Sequence, residues 1–144
     1  SLIWDDAVLT AAHCQNDVVA AGFDISLIQA SVNRTVDNSS RRGTEHRRFV
    51  RRPFVAHPQH NRITFQNDVM ILFLTSTINT NIVTPLPVVN PDPTTPTTGS
   101  DAIVLGLGVL TEGSSRTSDF LQEGNVQIID SNTCNANGYQ GEVV

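Results

Sequence analysis

The feature that most constrains the fold is the shortness of the apolar runs, which turn-forming residues separate from one another. Seven runs have the length and composition of β-strands: residues 7–12, 18–22, 26–32, 49–55, 69–74, 102–107 and 124–129. Helical periodicity is hard to find, and no run approaches the roughly 20 apolar residues that a membrane-spanning helix needs. The sequence therefore predicts an all-β protein without a membrane span.

A stretch rich in proline and threonine follows the fifth run. Proline cannot donate a ladder hydrogen bond, so this stretch is unsuited to a central strand and is typical of a surface connector. We predict a first domain over residues 1–84, an interdomain connector over 85–101 and a second domain that begins over 102–144.

The charge of the chain is uneven. Its 144 residues carry a net charge of −5, which disfavours general binding to nucleic acid, and all nine basic residues are arginines. Six of them fall within one stretch: Arg41, Arg42, Arg47, Arg48, Arg51 and Arg52. This stretch has two interpretations, a site for an anionic partner such as a sulfated glycan, or a solvated edge strand whose charges resist unwanted pairing.

Two short signals bear on cellular location. The two cysteines, Cys14 and Cys134, are too few for a disulfide framework and too far apart in sequence to indicate a metal pair. Asn33 and Asn38 each begin an Asn-x-Ser/Thr acceptor pattern in a polar stretch, which suits glycosylation of a secreted protein.

A histidine and an aspartate stand at the ends of two of the predicted strands. His13 follows the run over 7–12, and Asp68 directly precedes the run over 69–74. Each has an ordinary structural interpretation when taken alone, because an Asn-Asp pair before a strand can cap a turn. As a pair at strand ends they are candidates for acid–base chemistry.

The segments around these two residues carry a resemblance. Ser-Leu-Ile (1–3) with Val-Leu-Thr-Ala-Ala-His-Cys (8–14) resembles the histidine motif of the trypsin/chymotrypsin-like serine proteases, and Asn-Asp-Val-Met-Ile-Leu (67–72) is similar to their aspartate motif. The segments 106–108, 121–129 and 132–134 resemble, in the same order, the family's Gly-Trp-Gly segment and the strand that leads to a disulfide cysteine. His-Pro-Gln-His-Asn (57–61) stands where the family often has a His-Pro-x-Tyr-Asn loop.

The resemblance implies a fold and an activity. The expected fold is a chymotrypsin-like double β-barrel, with the first barrel nearly complete and the second only partly present. The expected activity is that of a serine endopeptidase in which His13 is the general acid and base and Asp68 orients it. The family's Gly-Asp-Ser-Gly-Gly motif is not reached by Val144, and Ser114 and Ser115 lack its flanking glycines, so no nucleophile is predicted within the chain.

The resemblance also implies what surrounds this chemistry. Cys14 and Cys134 would be half-cystines whose partners lie outside the chain. The chain would be a fragment that lacks both ends of a secreted, monomeric protease, and that protease would act on proteins or peptides. No cofactor is expected. No metal is expected either, because the trypsin calcium loop lacks its carboxylates and His46, His57 and His60 lack a further zinc ligand. Isolated from its nucleophile, the fragment should be inactive.

Two other classes of function remain open. A non-catalytic protease homologue would use the same fold as a secreted binding or regulatory module, although such a module has no chemical need for His13 and Asp68. An unrelated secreted β domain is the other alternative.

Overall fold

Short strands make up most of the regular structure, as the sequence predicts. The computed structural model describes residues 1–22, 27–37, 46–86 and 96–136. Within them the elements are β1 (Leu2–Trp4), β2 (Ala7–Thr10), α1 (His13–Ala20), β3 (Gln29–Val32), β4 (His46–Ala56), β5 (Met70–Leu74), β6 (Asp101–Gly106), β7 (Gln122–Gln127) and α2 (Ser131–Ala136). The prediction of an all-β fold class is confirmed.

The chain divides into two compact units. The first comprises Ser1–Ala30, Arg47–Val89 and Ser131–Val144, and the second comprises Ser31–His46 and Asn90–Asp130. The domain boundaries given above, 1–84, 85–101 and 102–144, stay a prediction.

A five-stranded sheet with the order β1-β2-β5-β4-β3 organises the first unit. β5, with the sequence Met-Ile-Leu-Phe-Leu, pairs antiparallel with β2 on one side and with β4 on the other. A strand flanked on both edges exposes little backbone to water, which suits its continuous apolar sequence. The buried apolar side chains of this unit are Leu2, Ala7, Ala12, Val50, Met70, Leu74 and Ile78.

The pairing of β4 with β5 contains one irregularity. The register shifts between Arg51 and Val55, and Pro53, which has no N–H to donate, lies within the interruption. Beyond it the ladder resumes, and His57 donates its backbone N–H to the carbonyl of Val69 at 2.9 Å. The loop between β4 and β5 is therefore closed at its base by regular pairing.

The second unit is built on the hairpin of β6 and β7, which pair antiparallel from Asp101–Gln127 to Gly106–Gln122. Isolated bridges join Val36 to Phe120 and Val109 to Thr117. Many of the apolar side chains of this hairpin are exposed, including those of Ile103 and Leu105.

The prediction of a strand over residues 18–22 is wrong. These residues continue α1 as far as Ala20 and then turn at Gly22, which has a φ of 72°. Val18 and Val19 are β-branched and favoured the strand assignment, but contacts at the start of α1 override this weak preference. β1 and α2 were not predicted from the sequence. Neither described helix is long and apolar enough to cross a membrane.

We predict that Leu74→Ala lowers the free energy of unfolding by about 3 kcal/mol, because Leu74 is 2% exposed and its loss leaves a cavity in the sheet packing. Leu27→Ala is the matched control, since Leu27 is 70% exposed and the same substitution should cost less than about 0.5 kcal/mol. Urea unfolding of the two variants measures both values, and equal losses would contradict this assignment of the core.

Candidate active site

The sheet register brings the predicted histidine and aspartate together. β2 pairs antiparallel with β5, and Thr10 lies opposite Met70. The chain leaving β2 therefore runs beside the chain entering β5, and three further residues bring His13 level with the segment that holds Asp68. Two residues 55 positions apart in sequence thus meet at one edge of the sheet.

Two hydrogen bonds connect the residues of this pair. Nδ1 of His13 lies 2.6 Å from Oδ2 of Asp68, and the backbone N–H of His13 donates to Oδ1 at 2.7 Å. The Asp68 side chain is 21% exposed, whereas that of His13 is 42% exposed. Both carboxylate oxygens form hydrogen bonds, so Asp68 holds both the imidazole ring and the main chain of His13.

The backbone bond has a structural reason. His13 is the first residue of α1, where backbone N–H groups have no partner within the helix. A carboxylate at this end accepts such a hydrogen bond and also interacts favourably with the positive end of the helix dipole. Asp68 therefore caps α1 from a distant part of the chain and sets the position of His13 as it does so.

Opposing effects act on the pKa of the Asp68 carboxyl. Burial raises this pKa and is the largest single effect, but the hydrogen bonds from the side chain and backbone of His13, with the electrostatic attraction of His13 and His60, together outweigh it. The net result is a pKa below the ordinary value of 3.8. Asp68 is therefore ionised at neutral pH and accepts hydrogen bonds only, so Nδ1 of His13 carries a proton.

From its sequence position His60 was predicted to be a loop residue without a role, but it lies beside the same carboxylate. Its Nδ1 is 3.8 Å from Oδ1 of Asp68, and its side chain is 9% exposed. The only signal in the sequence was its position within the loop that precedes the aspartate motif. That signal gives no distance, so it could not separate a neighbour of Asp68 from a surface histidine.

Phe65 was also missed. Its ring meets that of His13 edge to face, with centroids 5.9 Å apart and planes at 83°. The turn that presents Phe65 is held by Asn61, whose Oδ1 accepts the backbone N–H groups of Ile63 and Thr64. Asn is a residue that commonly forms such turns, and this was the available sequence signal.

The remaining predicted site residues lie outside this cluster. Cys14 follows His13 in α1, where successive side chains point in different directions, and Cys134 lies in α2. Both are free thiols, and their pairing with cysteines outside the chain stays a prediction. Asn33 is exposed, with a φ of 57°, whereas Asn38 lies outside the described residues.

Two arginines of the basic stretch, Arg48 and Arg51, make side-chain contacts within the chain. Nε of Arg48 donates to the carbonyl of Thr77, while Arg51 lies 3.7 Å from a carboxylate oxygen of Asp6 and over the ring of Phe73. These contacts suit a structural role on the sheet. Arg41 and Arg42 lie outside the described residues, and a partner for the stretch stays a prediction.

No cluster of three or more potential metal ligands occurs among the described residues. Of the histidines considered for zinc, His57 uses Nδ1 to accept the backbone N–H of Gln59. Ser114 likewise has a local role, because its Oγ accepts the backbone N–H of Arg116 within a turn.

We predict that Asp68→Asn lowers the free energy of unfolding by about 2 kcal/mol at pH 5, through loss of the charged acceptor for His13. Because folding lowers the pKa of Asp68, its ionised form contributes stability above the unfolded pKa of about 3.8, and this contribution is lost as the pH falls through the folded pKa. The difference in free energy of unfolding between wild type and Asp68→Asn should therefore shrink below pH 3.8. Urea unfolding across this pH range measures it.

The control for this experiment is Asp119→Asn. Asp119 forms an exposed ion pair with Arg116 at 3.6 Å, and exposed pairs contribute less than about 1 kcal/mol. A difference between wild type and Asp68→Asn that stays constant into strong acid would contradict the charged role of Asp68.

Comparison with known proteins gives the same fold and family. The chain is 28% identical to Trypsin Blo t 3 of Blomia tropicalis over 95% of its own length and 48% of that protein. It is 34% identical to the serine protease filzig of Drosophila melanogaster over 92% of its length but 7% of filzig. A solved structure of GrC superposes with a TM-score of 0.78 at 23% identity, covering 94% of this chain and 55% of that one.

The chain spans about half of the Blomia trypsin and of GrC, and much less of filzig. The superposition confirms the chymotrypsin-like fold that the resemblance implied. The sequence model of the family described as Trypsin matches residues 1–144, so the chain belongs to the trypsin family.

Proposed function

We propose that the chain forms part of a secreted serine endopeptidase, with His13 as the general acid and base and Asp68 as the carboxylate that orients it. The observation that carries this proposal is the 2.6 Å contact between Nδ1 of His13 and Oδ2 of Asp68. A partly buried, ionised carboxylate on one ring nitrogen leaves the other nitrogen as the basic atom. The His13 side chain is 42% exposed, so a substrate could reach part of its ring.

The proposed reaction moves one proton twice. Nε2 of His13 takes the proton of a serine hydroxyl as the serine oxygen bonds to the scissile carbonyl carbon, giving a tetrahedral intermediate. The imidazolium then gives this proton to the nitrogen of the leaving amine as the peptide C–N bond breaks, and an acyl-enzyme remains. Water then bonds to the acyl carbon as Nε2 takes its proton. The imidazolium returns this proton to the serine oxygen as the ester C–O bond breaks, which frees the serine and releases the acid. Asp68 stabilises the imidazolium throughout and keeps its own charge.

The serine itself is proposed to come from sequence outside residues 1–144. Ser114 is occupied in a turn of the second unit, and the matched relatives extend well beyond the region that they share with this chain. Protein or peptide substrates follow from membership of the family. Secretion and monomeric state are part of the same proposal, as are the disulfide roles of Cys14 and Cys134 and glycosylation at Asn33 and Asn38.

The decisive experiment uses a longer chain. We predict that the coding sequence extended beyond both Ser1 and Val144 yields a peptidase, and that His13→Ala lowers its kcat/KM by at least about 10⁴-fold because the base is lost. Asp68→Asn should give a loss of about 10⁴-fold, since a carboxamide can hold the imidazole in the wrong tautomer. Turnover of a panel of peptide substrates measures both effects.

Ser114→Ala is the control in that longer chain, because its hydroxyl serves a turn and its removal should leave kcat/KM within about twofold. Undiminished turnover in His13→Ala, or loss of turnover in Ser114→Ala, would contradict the assignment.

The 144-residue chain alone provides a second test. It should show no peptidase activity above background, because the proposed mechanism needs a nucleophile and oxyanion donors that we assign to no residue within it. Turnover by the purified chain that disappears in His13→Ala would show that a nucleophile lies inside residues 1–144.

A further inference from the structure

The Asp68 carboxylate has a second imidazole for a neighbour. His13 lies against Oδ2, while Nδ1 of His60 lies 3.8 Å from Oδ1. The side chain of His60 is only 9% exposed and forms a wall beside the carboxylate. These two histidines are the groups that attract the Asp68 charge.

Local contacts fix the orientation of His60. Its backbone N–H donates to the carbonyl of His57 at 3.0 Å, and its Nδ1 lies 3.3 Å from the carbonyl of Gln66. A backbone carbonyl only accepts hydrogen bonds, so Nδ1 of the neutral ring carries the proton. The positive end of this N–H dipole consequently lies on the side of the ring that faces Asp68.

Packing alone does not explain an imidazole at this position. Nε2 of His60 is buried and makes no hydrogen bond to the described residues. A buried polar atom without a partner destabilises a fold, whereas an apolar ring of similar shape would avoid that loss. The unpartnered nitrogen of His60 therefore lowers the stability of the fold, and packing alone gives no reason for an imidazole here.

The geometry points to His60 as a positioning residue that holds Asp68 in the orientation required by His13. The terminal torsion of an aspartate is broad and roughly two-fold, and both short hydrogen bonds to this carboxylate come from His13, so a contact from a second residue restricts its rotation further. His60 attracts Oδ1, which leaves Oδ2 directed at the His13 ring. This inference rests on the proposed role of His13 as the catalytic base.

Two variants of the 144-residue chain separate electrostatic positioning from packing. His60→Phe keeps a ring at the wall but removes the N–H, so the pKa of Asp68, followed by its carboxyl ¹³C signal, should rise toward its ordinary value. His60→Ala also admits water to the carboxylate, and since burial raises this pKa, its rise should be smaller than in the Phe variant. A purely structural role predicts that His60→Phe leaves this pKa unchanged.

A second readout at neutral pH does not depend on titration in acid. The backbone N–H of His13 donates to Oδ1 of Asp68, so a carboxylate that turns away more often exposes this amide to hydrogen exchange. We expect its exchange to quicken by about threefold or more in both variants. His60→Phe removes an unpartnered buried nitrogen but also the contact between Nδ1 and the Gln66 carbonyl, so its effect on overall unfolding is measured on the amides of β5. Exchange at His13 that quickens more than exchange in β5 reports the carboxylate.

Ile63→Ala is the control on the same loop, because Ile63 is 89% exposed and its loss should leave both readouts unchanged. Wild-type values in His60→Phe, or changes confined to His60→Ala, would overturn the positioning role. Neither readout requires turnover. Failure of this inference is thus separate from failure of the proposed peptidase function, which the His13→Ala variant of the longer chain decides.

Discussion

The site depends on the hydrogen bonds of the Asp68 carboxylate, because they join the end of the sheet to α1. One oxygen accepts the backbone N–H at the start of the helix and the other lies against the imidazole ring of the same residue. This arrangement needs β2 and β5 to pair in a single register, since a slip of one residue would turn their side chains to the opposite face of the sheet. The buried apolar residues that fix the register therefore also fix the geometry of the His13–Asp68 pair.

The pairing of His13 with Asp68 could be predicted mainly from the motif resemblance, to which their positions at the ends of apolar runs added modest support. Runs such as that over 69–74 are identified from sequence with little ambiguity, and antiparallel neighbours bring the end of one strand beside the start of the next. The sequence pattern alone left structural roles open for both residues. The motif resemblance selected this pair from the other polar residues at strand ends, and the 2.6 Å contact agrees with that selection.

What could not be predicted depends on contacts between residues distant in sequence. α1 contains Val18 and Val19, and its sequence shows no strong helical preference, yet its first N–H is capped by a carboxylate 55 residues away. No local pattern contains that contact. The same holds for His60, whose burial and distance from Asp68 arise from the folding of the loop between β4 and β5.

That loop also concentrates the unfavourable features of the first unit. Phe65 and Asn67 have φ values of 57° and 54°, a region that costs a side chain such as phenylalanine about 1 kcal/mol or more, and Nε2 of His60 is buried without a partner. Phe65 and Asn67 lie within three positions of Asp68, and Nδ1 of His60 lies 3.8 Å from its Oδ1. A loop selected only for stability would lose these features through a glycine at position 65 and an apolar ring at position 60. Their clustering around one carboxylate indicates that the sheet provides the stability while the loop is shaped for the position of Asp68.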